Sequence, residues 1–203
     1  SLNDPVLNAL IDRAVRNNLD LQEALSRVRQ ARYEKNISES QYYPGIDSSA
    51  SVKTSGSSED ESETRLYSAG IDASWEIDVF GGQRRSVEAS EAEYQAQVED
   101  LHDVLVTLLA EVALNYIDLR MSQQQINSVS KNIEIQKQSK ALTDSMLESG
   151  LADSLDRAQA AYQLAGTKAQ LPGLHVMVES TMNRLCVLIG EPAGSLDDVL
   201  KES

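Results

Sequence analysis

The chain has few of the residues that build disulfides, metal sites and aromatic cores. Its 203 residues include one cysteine and two histidines, and aromatic side chains make up only 4%. A lone cysteine excludes a disulfide within the chain, and the apolar run around Cys186 predicts a buried thiol. His102 and His175 have no Cys or His at ligand spacing, so neither a metal site nor a cofactor is expected.

Basic residues and long apolar runs are also scarce. The 18 Lys and Arg are outnumbered by 32 Asp and Glu, which gives a net charge of −14. Because nucleic-acid binding needs a basic face that displaces counterions, no nucleic-acid partner is expected. No apolar stretch approaches the ~18–20 residues of a membrane-spanning helix. The composition instead suits long helices with narrow apolar seams.

Glycine and proline are absent from Gln83 to Ser149, whereas Gly81-Gly82 and Gly150 flank this stretch. Since these two residue types are the strongest helix breakers, the gap predicts one helix about 100 Å long, at ~1.5 Å per residue. Apolar residues recur along it at alternating steps of three and four, which is typical of a coiled-coil seam. The seam consists of Val98, Leu101, Leu105, Leu108, Val112, Tyr116 and Leu119.

The chain is predicted to reverse direction after this helix. Gly150 fits the position just past a helix end. Asp153 is a good N-cap for a returning helix, and Asp156, at the third helical position, is favoured by the helix dipole. Pro172-Gly173 is expected to kink or break the returning helix. The residues from Leu196 to Ser203 show no evident partner.

Two shorter helices are predicted before the long one. Asp4 is suited to cap the first helix, because Pro5 follows it at a position where a missing N–H costs nothing. Asp20 is predicted to cap the second helix, with Glu23 three residues later completing a capping box. This second helix is expected to end by Tyr42-Tyr43-Pro44-Gly45.

From Ile46 the apolar period changes from 3.6 to 2, which predicts two strands. The first runs from Ile46 to Thr54, an acidic loop occupies residues 56–64, and the second strand runs from Tyr67 to Val79. One face of the second strand carries Tyr67, Ala69, Ile71, Ala73, Trp75, Ile77 and Val79. The opposite face carries Ser68, Gly70, Asp72, Ser74, Glu76 and Asp78.

Two interpretations of this alternation are open. A strand that is apolar on one side and lined by carboxylates on the other is typical of a membrane β-barrel, with lipid outside and water inside. Alternatively, an amphipathic hairpin packs on a helix in a soluble coiled-coil interaction or scaffold protein. Two strands cannot close a barrel, so the first interpretation requires strands from another part of the protein or from other copies.

An enzyme is a third class, and the sequence does not favour it. Asp72, Glu76 and Asp78 could in principle be catalytic carboxylates. Their regular spacing along one strand face fits a solvated surface better, and no second acid–base group lies nearby in sequence. We therefore expect no catalytic residues and no enzymatic activity.

The order of these features resembles the TolC/OprM-like outer-membrane efflux channel family, and specifically one of the two tandem repeats of its protomer. The segments that carry the resemblance are NNLDL at 17–21, YSAGIDASWEIDVFG at 67–81, LAEVALNY at 109–116 and NRLCVLIGEP at 183–192. The strand that leads into Phe80-Gly81 is the most specific of them. The resemblance implies a Gram-negative outer-membrane protein with a periplasmic extension.

The resemblance implies a mainly α fold, in which a very long antiparallel helical hairpin forms one stave of a tunnel. Residues 1–43 would form the two N-terminal helices, 44–80 the β-hairpin given to a transmembrane barrel, and 81–203 the periplasmic helical hairpin, with its tip near 149–156. Protomers of two repeats would assemble as a homo-trimer. A hexamer of one-repeat chains is the alternative.

The resemblance also implies a function, namely the passive efflux of drugs or other small molecules. The partners would be a periplasmic adaptor, an inner-membrane RND-type transporter and outer-membrane lipid. The helical tip, with Gly150, Leu151, Asp153 and Asp156, would form the closed entrance and meet the adaptor. Lumen-facing residues would be Asp72, Glu76 and Asp78, and lipid-facing ones Tyr67, Ile71, Trp75, Ile77 and Val79.

Overall fold

A computed structural model describes residues 4–56 and 63–200 of the chain. Most of these residues are helical, and the strands form one antiparallel hairpin, which confirms the predicted mainly α fold. The helices are α1 (Pro5–Asn17), α2 (Leu19–Ser40), α3 (Gly82–Glu148), α4 (Ser154–Lys168), α5 (Leu171–Leu188) and α6 (Asp197–Leu200). The strands are β1 (Gly45–Gly56) and β2 (Glu63–Ser74). Most of the predicted acidic loop lies outside the described residues.

Helix α3 confirms the prediction made from the missing glycines and prolines. It runs without interruption for 67 residues and begins one residue before the predicted start. The returning segment is broken, as predicted, into α4 and α5, with the break at Ala169 and Gln170. Pro172 lies in the first turn of α5, where its missing N–H breaks no helical hydrogen bond. Within the part of the chain that is described, no helix is both long and apolar enough to cross a membrane.

The contacts divide the chain into two compact units. The first contains residues 1–23 and 102–203, and the second contains residues 24–101. The part of the predicted α3 seam from Leu108 to Leu119 is buried in the first unit and packs there against α1 and α5. Val98, Leu101 and Leu105, at the start of the predicted seam, are only half-buried. The core of the first unit comprises Leu7, Leu10, Ala14, Leu108, Val112, Tyr116, Leu119, Met182, Leu185, Cys186, Ile189, Leu196 and Leu200.

The end of the chain has a partner that the sequence did not reveal. Leu196 and Leu200 are completely buried in the first unit, and the side-chain amide of Gln123 donates a 2.7 Å hydrogen bond to the Leu200 carbonyl. The expectation that this segment lacks a partner was therefore wrong. A run as short as α6 carries too little periodicity to predict its burial. The predicted burial of the Cys186 thiol is confirmed.

A polar network joins the start of α1 to the middle of α3. One oxygen of Asp4 accepts hydrogen bonds from the backbone N–H groups of Val6 and Leu7, at 2.8 and 3.3 Å, which confirms it as the cap of α1. Its other oxygen accepts a 2.5 Å hydrogen bond from the Tyr116 hydroxyl, which in turn accepts one from Arg120. The Tyr116 hydrogen bond holds the pKa of Asp4 below its usual value.

The turn between α1 and α2 packs closely on the end of α5. The Asn18 side chain donates to the Leu188 carbonyl at 3.0 Å, and its oxygen accepts from the Leu21 N–H at 2.9 Å. Asn18, and not the predicted Asp20, therefore caps α2, which begins at Leu19. Gly190 ends α5 with a φ of +69°, and a Cβ there would lie 2.5 Å from the Asn17 carbonyl oxygen. Only glycine fits both constraints.

In the second unit, α2 packs on the first turns of α3. Ala24 and Ala31 are buried, and small residues such as these allow two helices to approach closely. Lys35 forms an ion pair with Glu91 and lies 5.9 Å from the centre of the Tyr94 ring. This pairing raises the pKa of Lys35 and lowers that of Glu91, so both groups are held in their charged forms.

Candidate functional site

Apart from Leu66, which lies opposite Lys53 on the other face, the apolar side chains of the two strands lie on one face of the hairpin. In the register, Val52 lies opposite Tyr67, Ser48 opposite Ile71, and Ile46 opposite Ala73. These side chains are not covered, since Ile71 is 78% exposed and Tyr67 69%. An apolar sheet face with this exposure is expected to be covered by something other than the described part of the chain.

Except for Leu66, the opposite face of the hairpin is polar. The hydroxyl groups of Ser51 and Ser68 are hydrogen bonded across the strands at 2.8 Å. Asp47 lies directly opposite Asp72, a pairing that the sequence pattern did not show because the register was unknown. Two like charges opposite each other destabilise an isolated pair of strands, so this face is suited to bulk water and not to a packed interior.

The second strand is shorter than predicted at its end. It stops at Ser74, whose partner is Gly45, the first residue of β1. Pro44 precedes Gly45 and has no N–H to donate, so the pairing cannot continue in the same way. Trp75, Glu76, Ile77, Asp78 and Val79 therefore lie beyond the paired strands, and their predicted placement within a strand was wrong.

The residues beyond β2 instead join the hairpin to the helices. The Trp75 indole N–H donates to the Tyr42 carbonyl at 3.2 Å, across the base of the hairpin. One oxygen of Asp78 accepts a 2.9 Å hydrogen bond from the Arg84 N–H, in the first turn of α3. The first N–H groups of a helix have no partner within the helix, and a carboxylate is a favourable acceptor for them. Asp78 thus helps to start α3.

The reversal between α3 and α4 is a tightly defined turn. Gly150 has a φ of +75°, which confirms its position just past the helix end. Its N–H donates to the Leu147 carbonyl at 3.0 Å, and the Leu151 N–H donates to the Met146 carbonyl at 2.8 Å. This pair of bonds is the Schellman motif. The motif leaves the Leu151 side chain 74% exposed at the tip.

Asp153 and Asp156 form a reciprocal capping box at the start of α4. The Asp156 N–H donates to the Asp153 carboxylate at 2.9 Å, and the Asp153 N–H donates to the Asp156 carboxylate at 3.2 Å. Asp153 is therefore confirmed as the predicted N-cap. Asp156, which was predicted to be favoured by the helix dipole, also accepts a direct hydrogen bond from the backbone of Asp153. Both predicted tip carboxylates therefore lie at the start of α4, which follows the turn formed by Gly150 and Leu151.

An ion cluster below the tip was not foreseen. One oxygen of Asp144 on α3 lies 2.6 Å from the Lys140 amine, and the other lies 3.1 Å from the Arg157 guanidinium on α4. The Lys140 hydrogen bond, with a smaller effect of Arg157, lowers the pKa of Asp144. The spacing of Lys140 and Asp144 predicts a pair on one helix. The contact with Arg157 depends on how α3 and α4 pack, which the sequence alone does not give.

The described residues contain no group of three or more His, Cys, Asp or Glu side chains that could hold a metal ion. One unit presents a hairpin with an exposed apolar face and a polar face, and the other presents a rigid helical reversal with exposed carboxylates at its tip. Surfaces of this kind contact lipid, water or other proteins.

The comparisons with known proteins agree with this geometry. The sequence profile of the family described as outer membrane efflux protein matches residues 10–191. The chain belongs to the outer membrane efflux protein family. SilC of Salmonella typhimurium, a probable outer membrane lipoprotein, is 28% identical over 188 residues, which are 92% of this chain and 41% of SilC. The pyoverdine export outer membrane protein OpmQ of Pseudomonas aeruginosa is 29% identical, over 95% of this chain and 43% of OpmQ.

Solved structures of outer-membrane channels have the same fold. The outer-membrane channel OprN is 32% identical and superposes with a TM-score of 0.84, over 96% of this chain and 45% of OprN. The chain therefore spans less than half the length of the efflux-family proteins it matches. This proportion agrees with the expected single repeat.

Proposed function

We propose that the protein is a component of an outer-membrane export channel, and that it forms a passive conduit and not an enzyme. The observation that carries this proposal is the exposed apolar face of the hairpin, in a chain of the efflux family. That face fits a barrel wall in contact with lipid, because membrane-barrel strands alternate apolar and polar residues with a period of two. The polar face, with Asp47 opposite Asp72, then faces a water-filled lumen.

Each residue that was predicted to face lipid or the lumen lies on one of the two faces of this region. Tyr67 and Ile71 contact lipid from within the paired strand. Trp75, Ile77 and Val79 lie beyond the pairing and would contact lipid near its boundary with water, where aromatic residues are enriched. On the other side, Asp72 and Glu76 line the lumen. Asp78 also lines the lumen, but it lies at the start of α3 and not within the paired strands. An acidic lumen of this kind favours cations over anions.

We also propose that the helical tip is the entrance and the adaptor-binding end. Its residues are Gly150, Leu151, Asp153 and Asp156. The Schellman motif and the capping box support this role, since they hold an exposed leucine and two carboxylates in one fixed geometry. A rigid exposed apolar residue at a turn is a suitable anchor for a partner helix.

The remaining partners follow from the family. The full protein would assemble as a homo-trimer in the outer membrane, with a periplasmic extension. A periplasmic adaptor would connect it to an inner-membrane RND-type transporter that supplies the energy. Residues 1–43, 44–80 and 81–203 would serve as N-terminal helices, barrel hairpin and periplasmic helical hairpin. The name of OpmQ, a pyoverdine exporter, supports small-molecule efflux.

The proposed function is tested by one substitution on each face of the hairpin. Ile71→Lys places a charge on the proposed lipid face, which costs about 2–4 kcal/mol near the middle of a bilayer. Ser49→Lys is the matched control, because Ser49 is also exposed but lies on the polar face. We expect Ile71→Lys to abolish insertion of the full-length protein into the outer membrane and export by cells, and Ser49→Lys to preserve both. Normal insertion of the Ile71→Lys protein would disprove the proposal.

A further inference from the structure

The base of the hairpin carries exposed aromatic side chains at the point where strand pairing ends. Trp75 is 60% exposed, Tyr43 is 73% exposed and Phe80 is completely exposed. The Trp75 indole donates its N–H to the Tyr42 carbonyl at 3.2 Å, which fixes Trp75 to the residues just before β1. We call Tyr43, Trp75 and Phe80 the aromatic base. Nothing in the described part of the chain covers it.

Two arginines follow the aromatic base, in the first turn of α3. Arg84 and Arg85 are both exposed, and this turn contains no acidic residue. The helix dipole favours acidic side chains in a first turn and disfavours basic ones. The two arginines therefore lie at an unfavourable position, in a chain with a net charge of −14. A local rule that is broken without compensation within the element is expected at functional positions.

Within the described part of the chain, the two guanidinium groups have little to bind. Arg85 lies 2.6 Å from Glu88, but both side chains are largely exposed, and exposed ion pairs of this kind are weak. The side chain of Arg84 forms no hydrogen bond or ion pair with any described residue. Asp78 accepts a hydrogen bond from Arg84, but from its backbone N–H and not from its guanidinium group. Both guanidinium groups are therefore available to an anion from outside.

The aromatic base and the two arginines together suit a ligand that is apolar at one end and anionic at the other. Ile77 and Val79 are exposed, so apolar side chains continue along the chain from β2 to Phe80. Aromatic residues of membrane proteins are enriched where hydrocarbon meets the headgroups, and Arg binds phosphate groups through two parallel hydrogen bonds. An anionic phospholipid has both parts in this order. A free phosphate ion would make no use of the aromatic surface.

We propose that Arg84 and Arg85 bind the phosphate group of an anionic phospholipid, whose acyl chains lie against the aromatic base. The inference rests on the proposed function, because it requires the apolar face of the hairpin to lie in a bilayer. It adds to that function a preference for anionic lipid at the boundary between the hairpin and the helices.

Fluorescence quenching by brominated lipids tests this site in the full-length protein. Trp75 is the single tryptophan of the sequence, and any tryptophan elsewhere in the full-length protein is replaced by phenylalanine. The protein is reconstituted in vesicles that mix anionic phosphatidylglycerol with zwitterionic phosphatidylcholine, and only one of the two lipids carries bromine on its acyl chains. Because bromine quenches only a tryptophan that it can contact, exchanging the brominated lipid gives the relative affinity of the two lipids for the surface around Trp75.

We expect phosphatidylglycerol to bind at this surface roughly fivefold more tightly than phosphatidylcholine, because two arginines attract its negative charge. Equal affinity of the two lipids in the unmodified protein would overturn the inference without any variant.

Two double variants that lose the same charge separate this site from general attraction to an anionic bilayer. Arg84→Gln/Arg85→Gln should abolish the preference, while quenching by brominated phosphatidylcholine stays as in the unmodified protein. Arg16→Gln/Arg29→Gln is the matched control, since both arginines are exposed but lie on α1 and α2, and it should keep the preference. A preference that survives the loss of Arg84 and Arg85, or that falls equally in the control, would refute the site.

The same vesicles separate the lipid from a free anion, and this inference from the proposed function. Inorganic phosphate should leave the preference unchanged when chloride replaces it at the same ionic strength. A preference lost in phosphate but not in chloride would show that the arginines bind the free ion, and would overturn the lipid site. Equal quenching by both brominated lipids would remove the site and retain the contact with lipid. No quenching by either lipid would remove the site and the proposed lipid face together.

Discussion

Asp4 shows which contacts of a residue can be predicted from the sequence and which cannot. Its role as a helix cap follows from the sequence, because Pro5 marks the first helical position. Its second bond, to the Tyr116 hydroxyl, joins residues 112 positions apart and depends on how α1 packs against α3. The same limit explains why Asn18, and not Asp20, caps α2. Both residue types are good caps, and only the packing of Asn18 on the end of α5 distinguishes them.

The Asp4–Tyr116 hydrogen bond predicts a pH-dependent stability. Since the bond lowers the pKa of Asp4, its contribution is present at neutral pH and is lost as the pH falls through the folded-state pKa, below the usual Asp value of about 3.9. We expect Tyr116→Phe to lower the Tm at pH 7 by roughly 2–4 °C. The difference from the unmodified protein should shrink below about pH 4. Thermal unfolding followed by circular dichroism measures both.

Tyr162→Phe provides the control for this prediction, because Tyr162 is exposed and forms no hydrogen bond with the described residues. It should leave the Tm unchanged at every pH. A Tm difference for Tyr116→Phe that stays constant down to pH 2 would show that Asp4 is not the titrating partner.

At the scale of elements, the helices were easier to predict than the end of β2. Helix α3 follows from a run without glycine or proline, and the break between α4 and α5 follows from Pro172. The alternation of apolar residues continues to Val79, but pairing stops at Ser74 because β1 begins only at Gly45. Alternation reports which side of a strand is apolar. It does not report where the partner strand ends.

The reversal between α3 and α4 allows a test of the proposed entrance. We expect Asp156→Ala to raise the basal conductance of the reconstituted full-length channel, because it removes a carboxylate from the tip. It also removes half of the capping box, so a second variant is needed. Asp156→Gln removes the charge but keeps an acceptor that suits this position of a capping box.

The two variants separate charge from helix capping. If the charge closes the entrance, both should raise the conductance by a similar factor in planar-bilayer recordings. If only Asp156→Ala does so, the effect comes from fraying of α4. Unchanged conductance for both variants would remove Asp156 from the entrance.

At the scale of the whole molecule, the class of protein could be predicted from the sequence, whereas contacts between residues distant in sequence could not. The order of the elements and four sequence segments resembled the outer-membrane efflux channel family, and the family match confirms this resemblance. The core of the first unit required the structure, since the burial of Leu196 and Leu200 depends on residues far away in sequence. The pairing of Asp47 with Asp72 across the strands also required the structure, because it depends on the strand register.

We propose that one face of the hairpin contacts lipid and the other contacts water. The most direct measurement is the accessibility of spin labels, placed one at a time at residues 67–72 of the full-length protein in lipid vesicles. Cys186 is buried and is not expected to take label. We predict that labels at Tyr67, Ala69 and Ile71 collide mainly with oxygen, which concentrates in lipid, and that labels at Ser68, Gly70 and Asp72 collide mainly with a water-soluble nickel complex. Equal accessibility along the strand, without a period of two, would contradict this orientation of the hairpin.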